Sequence, residues 1–318
     1  IQLVPILFIK IKKRDKLIFT TEPPWGILIS LIFSNLRNIS YLLIIYDFYP
    51  EILLHQGILQ KNNLIYKLWN IANKISIKKS INTVVLSEDM QSIIQNRYKS
   101  LSEKVIVIPS WVDTKIMQKI SKKENPFVKK YNLEDKFIVL YSGNQGRMHD
   151  FNTIIEAAKI LKKNKDIYFV FIGDGPKNKL LRSKVKSLNL KNTFFLPFQD
   201  KENLIFSLST ADIAIVSQAK NTSGFTAPSK LYGHLALSTP VAIISPYNSY
   251  LRKIVRKYNF GKWFPNDNGL SLAKWIIDLR KNKKDLILMG ENARKYSIDY
   301  ADKIKVINHY KKILNLID

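Results

Sequence analysis

Residues 138–147 constrain the fold more than any other stretch of the chain. An apolar run, Ile138–Tyr141, passes into a turn of small residues, Ser142, Gly143, Asn144 and Gly146, that carries one cation, Arg147. Phe151, Ile154, Ile155, Ala158 and Leu161 then recur at helical spacing, so a helix is expected to follow at once. Strand, glycine turn and helix in that order aim backbone N–H groups at one point, which suits a phosphate, although the same order also serves as a plain strand-to-helix turn.

The alternation continues along the chain and implies an α/β protein with mostly parallel sheets covered by helices. Strands are expected at Leu17–Thr20, Tyr41–Tyr46, Thr83–Leu86 and Val105–Ile108 in a first half. A second half has Ile138–Tyr141, Tyr168–Ile172, Thr193–Leu196, Ile213–Val216 and Val241–Ile244. Ser87 suits an N-cap, with Glu88 and Asp89 at the positive end of the helix that follows. The polar, lysine-rich segment 110–136, broken by Pro109 and Pro126, separates the halves. The expected parts are residues 1–121, residues 122–295 and a C-terminal helix in 296–318. That helix shows Ile298, Ala301, Ile304, Ile307 and Tyr310 along one side and is expected to pack back on the first half. Two Rossmann-like halves suggest a ligand held in a cleft between them, beyond the carboxyl ends of the strands.

Charge narrows the partners. Lys and Arg number 51 against 25 Asp and Glu, a net charge of +26. Basic clusters such as Lys10–Lys16 and Lys122–Lys130 are scattered, and no zinc knuckle, ribonucleoprotein signature or helix-turn-helix is present, so no specific nucleic acid is expected. An anionic membrane surface or a phosphate ligand fits better, with a compositional bias toward Lys, Ile and Asn contributing to the total. The chain has no cysteine, which excludes thiol catalysis, disulfides and thiolate metal sites. Trp25–Phe33 and Tyr41–Tyr46 are too short to span a bilayer. Trp25–Phe33 reads as a core helix or as a membrane contact. Residues 1–9 lack a charged leader and a cleavage site, and the chain reads as starting within a domain.

Further candidates sit at other strand ends. Gly173, Asp174, Gly175 and Pro176 form a tight turn, with Asn178 where a dinucleotide fingerprint would place its third glycine. The small-residue loop from Thr222 through Ser223 and Gly224 leads into a helix expected to begin near Pro228 or Ser229. Its free N–H groups with Lys230 would make an anion site, the alternative being a capped helix at a loop end. Asp47 follows an apolar strand directly and reads as a base, a hydroxyl-orienting group or a turn residue. Glu22 is placed similarly. Among the four histidines no two have metal-ligand spacing; His149, beside Arg147, is placed to touch a phosphate.

Residues 138–295 resemble the nucleotide-binding domain of the family 4 retaining glycosyltransferases, which have the GT-B fold. The matching signposts are Tyr141–Asp150, Phe171–Pro176, Phe194–Phe198, Ala211–Asp212, Ala227–Gly233 and Thr239–Val241, in family order and at family spacing. Upstream, Val84–Ser87, Val105–Pro109 and Trp111–Asp113 look like the end of an acceptor domain. Asp47–Glu51 looks like a motif of the subgroup that transfers N-acetylated amino sugars of the N-acetylfucosamine type in O-antigen and capsule assembly.

The resemblance implies two Rossmann-like domains facing across a cleft, the first lacking its opening strand. It implies a nucleoside-diphosphate sugar, UDP-linked, as co-substrate, with no cofactor and no metal. Catalytic roles would fall to Asp47, Arg147 and Lys230. The donor would meet Ser142, Gly143, Asn144, Gly146, His149, Gly173, Asp174, Gly175, Phe195, Leu196, Pro197, Phe198, Ser223, Gly224, Pro228, Ser229, Leu231 and Tyr232. The acceptor would be lipid-linked or a saccharide, and the enzyme would work at the cytoplasmic face of the membrane. The family's pair of glutamates eight positions apart is replaced here by Phe225 and Gly233, and the acceptor domain's usual histidine falls near Asp47. A non-catalytic polyanion-binding protein, an inactive transferase homologue and a non-hydrolysing sugar-nucleotide epimerase are the rival readings.

Overall fold

The computed structural model describes residues 10–12, 15–36 and 39–315. The reading of residues 1–9 and the last residues of the expected C-terminal helix lie outside them. The chain forms two compact units, residues 1–109, 222–227 and 306–318 in one, and residues 110–221 and 228–305 in the other.

The first unit is built on a four-stranded sheet ordered β1 (Leu17–Thr20), β2 (Tyr41–Ile45), β3 (Thr83–Val85), β4 (Val105–Val107), parallel at every pairing. Its strands read as unbroken apolar runs because a parallel sheet with helices on its faces is buried on both sides. All five residues of β2 are buried. Ser87 caps the helix Glu88–Arg97 by accepting from Met90 N at 3.3 Å. Leu42, Ile44, Val84 and Ile108 share a buried cluster with Val306 and Leu314 from the chain's end.

The second unit holds a six-stranded parallel sheet, ordered β10 (Gly261–Phe264), β9 (Val241–Ile244), β8 (Ile213–Ser217), β5 (Phe137–Ser142), β6 (Ile167–Ile172), β7 (Thr193–Leu196). Strands β6 and β7 extend to one side of β5, and β9 and β10 to the other side of β8. The order therefore reverses between β5 and β8, and the carboxyl ends of those two strands flank the position where open α/β sheets bind ligands.

Three local expectations change. The helix after Arg147 spans Asn152–Ile160 and does not follow the turn at once, because His149 N donates to Gly146 O at 3.4 Å and Asp150 Oδ1 accepts from Thr153 N at 3.2 Å before it starts. The expected terminal helix is two helices, Lys283–Tyr300 and Lys303–Ile313. Strand β10 is not among the expected strands; it is a short edge strand carrying Lys262.

Candidate functional site

The turn after β5 is the centre of the site in the second unit. Gly143 sits at φ +125°, a left-handed conformation that favours glycine, and its N–H donates to Ile172 O at 2.9 Å. Gly173, at φ +123°, ends β6 in the same way, donating to Leu196 O at 2.9 Å. A side chain on Gly173 would run into the Gly143 carbonyl, so the two turns touch through backbone. Buried Gln145 ties them further. Its N–H donates to Asp174 O at 2.7 Å, its Nε2 to Gly173 O at 3.1 Å, and its Oε1 accepts from Asn178 at 3.0 Å. Asn178, where a third glycine would stand in a dinucleotide fingerprint, thus locks one turn to the other.

Lys230 opens the helix Lys230–Ala236 and reaches back over this turn. Its Nζ donates to the Tyr141 hydroxyl at 2.6 Å, lies 3.9 Å from the Tyr141 ring centroid and stands 3.3 Å from where a Gly143 side chain would begin. Tyr141 is buried and donates in turn to Asn144 O at 2.7 Å. Burial pushes the Lys230 ammonium down to about 7. His149 lies at the end of β8, its Nδ1 2.7 Å from Ser217 O. Burial, then Lys230 and Lys177, push it down to about 3, so it is neutral at pH 7. Lys177 Nζ donates to His149 O at 2.9 Å. Arg147 is exposed at the turn's edge. Neither Arg147 nor Lys230 has an acidic partner among the described residues. Ser142, Gly143, Asn144, Gly146, Arg147, His149, Gly173, Asp174, Gly175 and Lys230 therefore gather around the β5 and β6 ends.

An aromatic shelf lies beside them. Phe195 stacks on buried Phe171 with centroids 5.0 Å apart, and the Arg182 guanidinium covers it at 4.8 Å. Phe198 is exposed and approaches Gly173, with Leu196 and Pro197 between the two rings in sequence. Exposed Phe198 offers a flat apolar face of the kind that suits a nucleobase.

Other candidates take different positions. The Leu231 and Tyr232 side chains are buried in the core, so only their backbone faces outward chemistry, and their N–H groups already donate to Pro228 O and Ser229 O at 3.2 Å. The free N–H array expected there is thus partly spent. Ser229 is exposed and does not cap the helix with its side chain, and Pro228 is buried. Asp47, Ser223 and Gly224 belong to the first unit. Gly224 is explained by packing: a side chain there would strike Ile93 and the Asp89 carbonyl.

Asp47 follows β2. Its N–H donates to Thr21 Oγ1 at 3.2 Å, and it bridges Thr226. Phe48 N donates to Phe225 O at 2.8 Å, so the residue at one of the absent glutamate positions serves through its backbone. Burial and the Glu22 carboxylate push the Asp47 carboxyl up to about 6. The loop is held below by Glu51, which is buried and pairs with Arg97 and Tyr66, and by Asn73 Nδ2 donating to Tyr49 O at 2.7 Å.

Sequence reasoning missed Tyr141, Gln145 and Lys177 as functional supports. Tyr141 reads as core, and nothing local to residue 141 signals a partner 89 positions away. Among the described residues no three His, Asp or Glu side chains cluster to hold a metal, and no helix is long and apolar enough to cross a membrane.

Two parallel sheets with alternating helices, and cationic glycine turns at a topological switch point, define the GT-B class. The fold is shared with HepE of Anabaena, solved in complex with UDP, at TM-score 0.77 and 13% identity over 99% of this chain and 81% of that one. Residues 122–296 match the family Glycosyl transferases group 1, and the chain belongs to it. It is 24% identical over 278 residues to WbjE of Pseudomonas aeruginosa, described as a probable glycosyltransferase, covering 84% of this chain and 66% of WbjE. It is 30% identical over 138 residues, 43% of this chain and 34% of the relative, to WcaI of Escherichia coli K12, a glycosyl transferase whose name assigns it to colanic acid biosynthesis. The chain thus spans slightly under two thirds of the first relative and about one third of the second.

Proposed function

We propose that this protein is a retaining, family 4-type glycosyltransferase. It moves a hexosyl or N-acetylhexosaminyl group, an N-acetylated amino sugar by its subgroup motif, from a UDP-linked donor to a lipid-linked or saccharide acceptor. The acceptor belongs to a bacterial surface polysaccharide of the O-antigen or capsule kind, assembled at the cytoplasmic face of the membrane. The observation that carries the reading is Lys230 folded over the Gly143 turn at the β5–β8 switch point, with Arg147 exposed at the edge of the same turn. Two cations with no acidic partner among the described residues, at a turn of small residues, match a leaving diphosphate. The UDP in HepE and the colanic acid biosynthesis in the name of WcaI support the donor and product classes.

In the reaction the bond from the anomeric carbon to the β-phosphate oxygen breaks, and the diphosphate takes the electron pair. Positive charge spreads over the ring as an oxocarbenium-like state. Arg147 and protonated Lys230 would stabilise the leaving oxygens. The acceptor hydroxyl adds on the face the diphosphate leaves, losing its proton, and Asp47 is assigned to orient that hydroxyl or take the proton.

The test is thermal unfolding with UDP, GDP, NAD and short DNA at matched salt. A rise in midpoint with UDP alone supports the reading, since a ligand bound only by the folded state stabilises it. A salt-sensitive response to DNA with none to nucleotides favours the polyanion-binding alternative.

Two pH dependences follow. Free Lys230 titrates near 7, and the diphosphate should hold it protonated, so UDP binding takes up close to one proton at pH 8. UDP affinity should be flat just below pH 7 and fall about tenfold per unit above it. Calorimetry in buffers of different ionisation enthalpy reads the proton count; no uptake at pH 8 removes Lys230 from the diphosphate. On the acceptor side, transfer at saturating donor should fall as pH drops through about 6, where Asp47 protonates. Asp47→Asn should flatten that limb and lower turnover by about 100-fold while leaving UDP affinity unchanged. A preserved acid limb in the variant would assign it to another group.

A further inference from the structure

In the first unit the helices Gly26–Leu36 and Leu64–Lys79 pack together through small residues. Ser30 Oγ lies 2.7 Å from Ser76 Oγ, and Lys79 bonds Asn35. Their inward faces bury Ile27, Phe33, Ala72 and Ile77. The outward faces are apolar as well. Leu64, Leu68, Ile71 and Ile75 recur at helical spacing and are 67%, 55%, 55% and 39% exposed. Beside them Trp25, Leu28 and Ile32 are 60%, 54% and 38% exposed. A surface helix of a soluble domain normally turns polar residues outward, and contiguous exposed apolar area of this kind marks a docking surface.

Charge identifies what docks. Lys61, Lys67, Lys74, Lys78 and Lys79 are exposed on and beside the longer helix. No Asp or Glu lies between Glu22 and Asp47 or between Glu51 and Glu88, in a chain with 25 acids. A second copy meeting this face about a two-fold axis would set lysine against lysine with no acid to pair them. An anionic bilayer satisfies both halves of the pattern: phosphates take the ammonium groups, lysine stems lie along the helix, and the aliphatic stripe enters the acyl boundary.

We propose that this two-helix face seats the protein on an anionic lipid bilayer, with Leu64–Lys79 lying in the interfacial plane. The proposal rests on the transferase reading only in making that bilayer the site of the acceptor, and its test reads neither transfer nor nucleotide.

The experiment is sedimentation of the full chain with phosphatidylcholine vesicles, with and without phosphatidylglycerol. Binding should be at least about tenfold tighter with phosphatidylglycerol and should weaken with salt. The triple change Lys67→Gln, Lys74→Gln, Lys78→Gln should cost about tenfold or more, and Leu68→Gln with Ile71→Gln should abolish binding, each with an unchanged melting midpoint. Lys186→Gln with Lys191→Gln, in the other unit, should change nothing. Wild-type binding by the face variants, or equal binding to neutral vesicles, overturns the proposal. So does a dimer in light scattering that Leu68→Gln returns to monomer, which would give the face to a second copy.

Discussion

Arg147→Ala is expected to lower sugar transfer by about 100- to 1000-fold while the protein melts within about 3 °C of wild type. The two halves of that result have separate causes. The side chain is exposed and makes no ion pair among the described residues, so the fold loses nothing with it. Its charge stands at the edge of the Gly143 turn, where the diphosphate would gain negative charge as the sugar leaves. An interaction that strengthens as the bond breaks lowers kcat and kcat/KM together when removed. Arg147→Lys should recover only part of the loss, because a point charge replaces a two-pronged donor. Steady-state kinetics beside a thermal melt checks both halves, and near-normal turnover in the alanine variant would remove Arg147 from the site.

Lys230→Met should abolish transfer to a similar extent and yet raise the melting midpoint at pH 7. The methionine keeps the stem over Tyr141 and deletes a charge that burial makes costly, as the drop of Lys230 to about 7 shows. The sign follows from proton linkage. Between pH 7 and the ordinary lysine range the unfolded wild type binds a proton at residue 230 that the folded protein has given up. Wild-type stability therefore rises across that window. The variant lacks this term, so its advantage should be largest at and below pH 7 and shrink toward pH 10. A variant that melts lower than wild type at pH 7 would mean that the Tyr141 contact outweighs the burial cost.

The glycine turns were legible because their cause is local. An apolar strand followed by Gly143, or by Gly173 and Gly175, reports that the backbone there takes conformations few other residues tolerate. What escaped depends on distant partners. The terminal helix breaks at Ala301 and Asp302 although Ile298, Ala301 and Ile304 keep helical spacing. Val112 N donates to Ala301 O at 2.9 Å and Lys303 N to Val112 O at 3.0 Å, which takes those backbone groups out of a helix ladder. Strand β10 alternates exposure at the sheet edge, where Trp263 Nε1 donates to Ser245 O at 3.1 Å, and short edge strands carry little periodicity. Gly224 is expected in a ligand loop because the residues from Thr222 to Pro228 are small; that the helix Glu88–Arg97 packs against it is a tertiary contact the sequence does not report. The helix Leu64–Lys79 is not among the expected elements, and its outward apolar stripe is recognised only by its exposure.

The most direct measurement of the central claim is a calorimetric titration of UDP, and separately of uridine, into wild type and Arg147→Ala at pH 7. The account predicts micromolar UDP binding, uridine weaker by about 100-fold or more, and an Arg147→Ala variant whose UDP affinity drops toward that of uridine. Equal affinity for UDP and uridine, or UDP binding untouched by Arg147→Ala, would contradict a diphosphate seated between the Gly143 turn, Arg147 and Lys230.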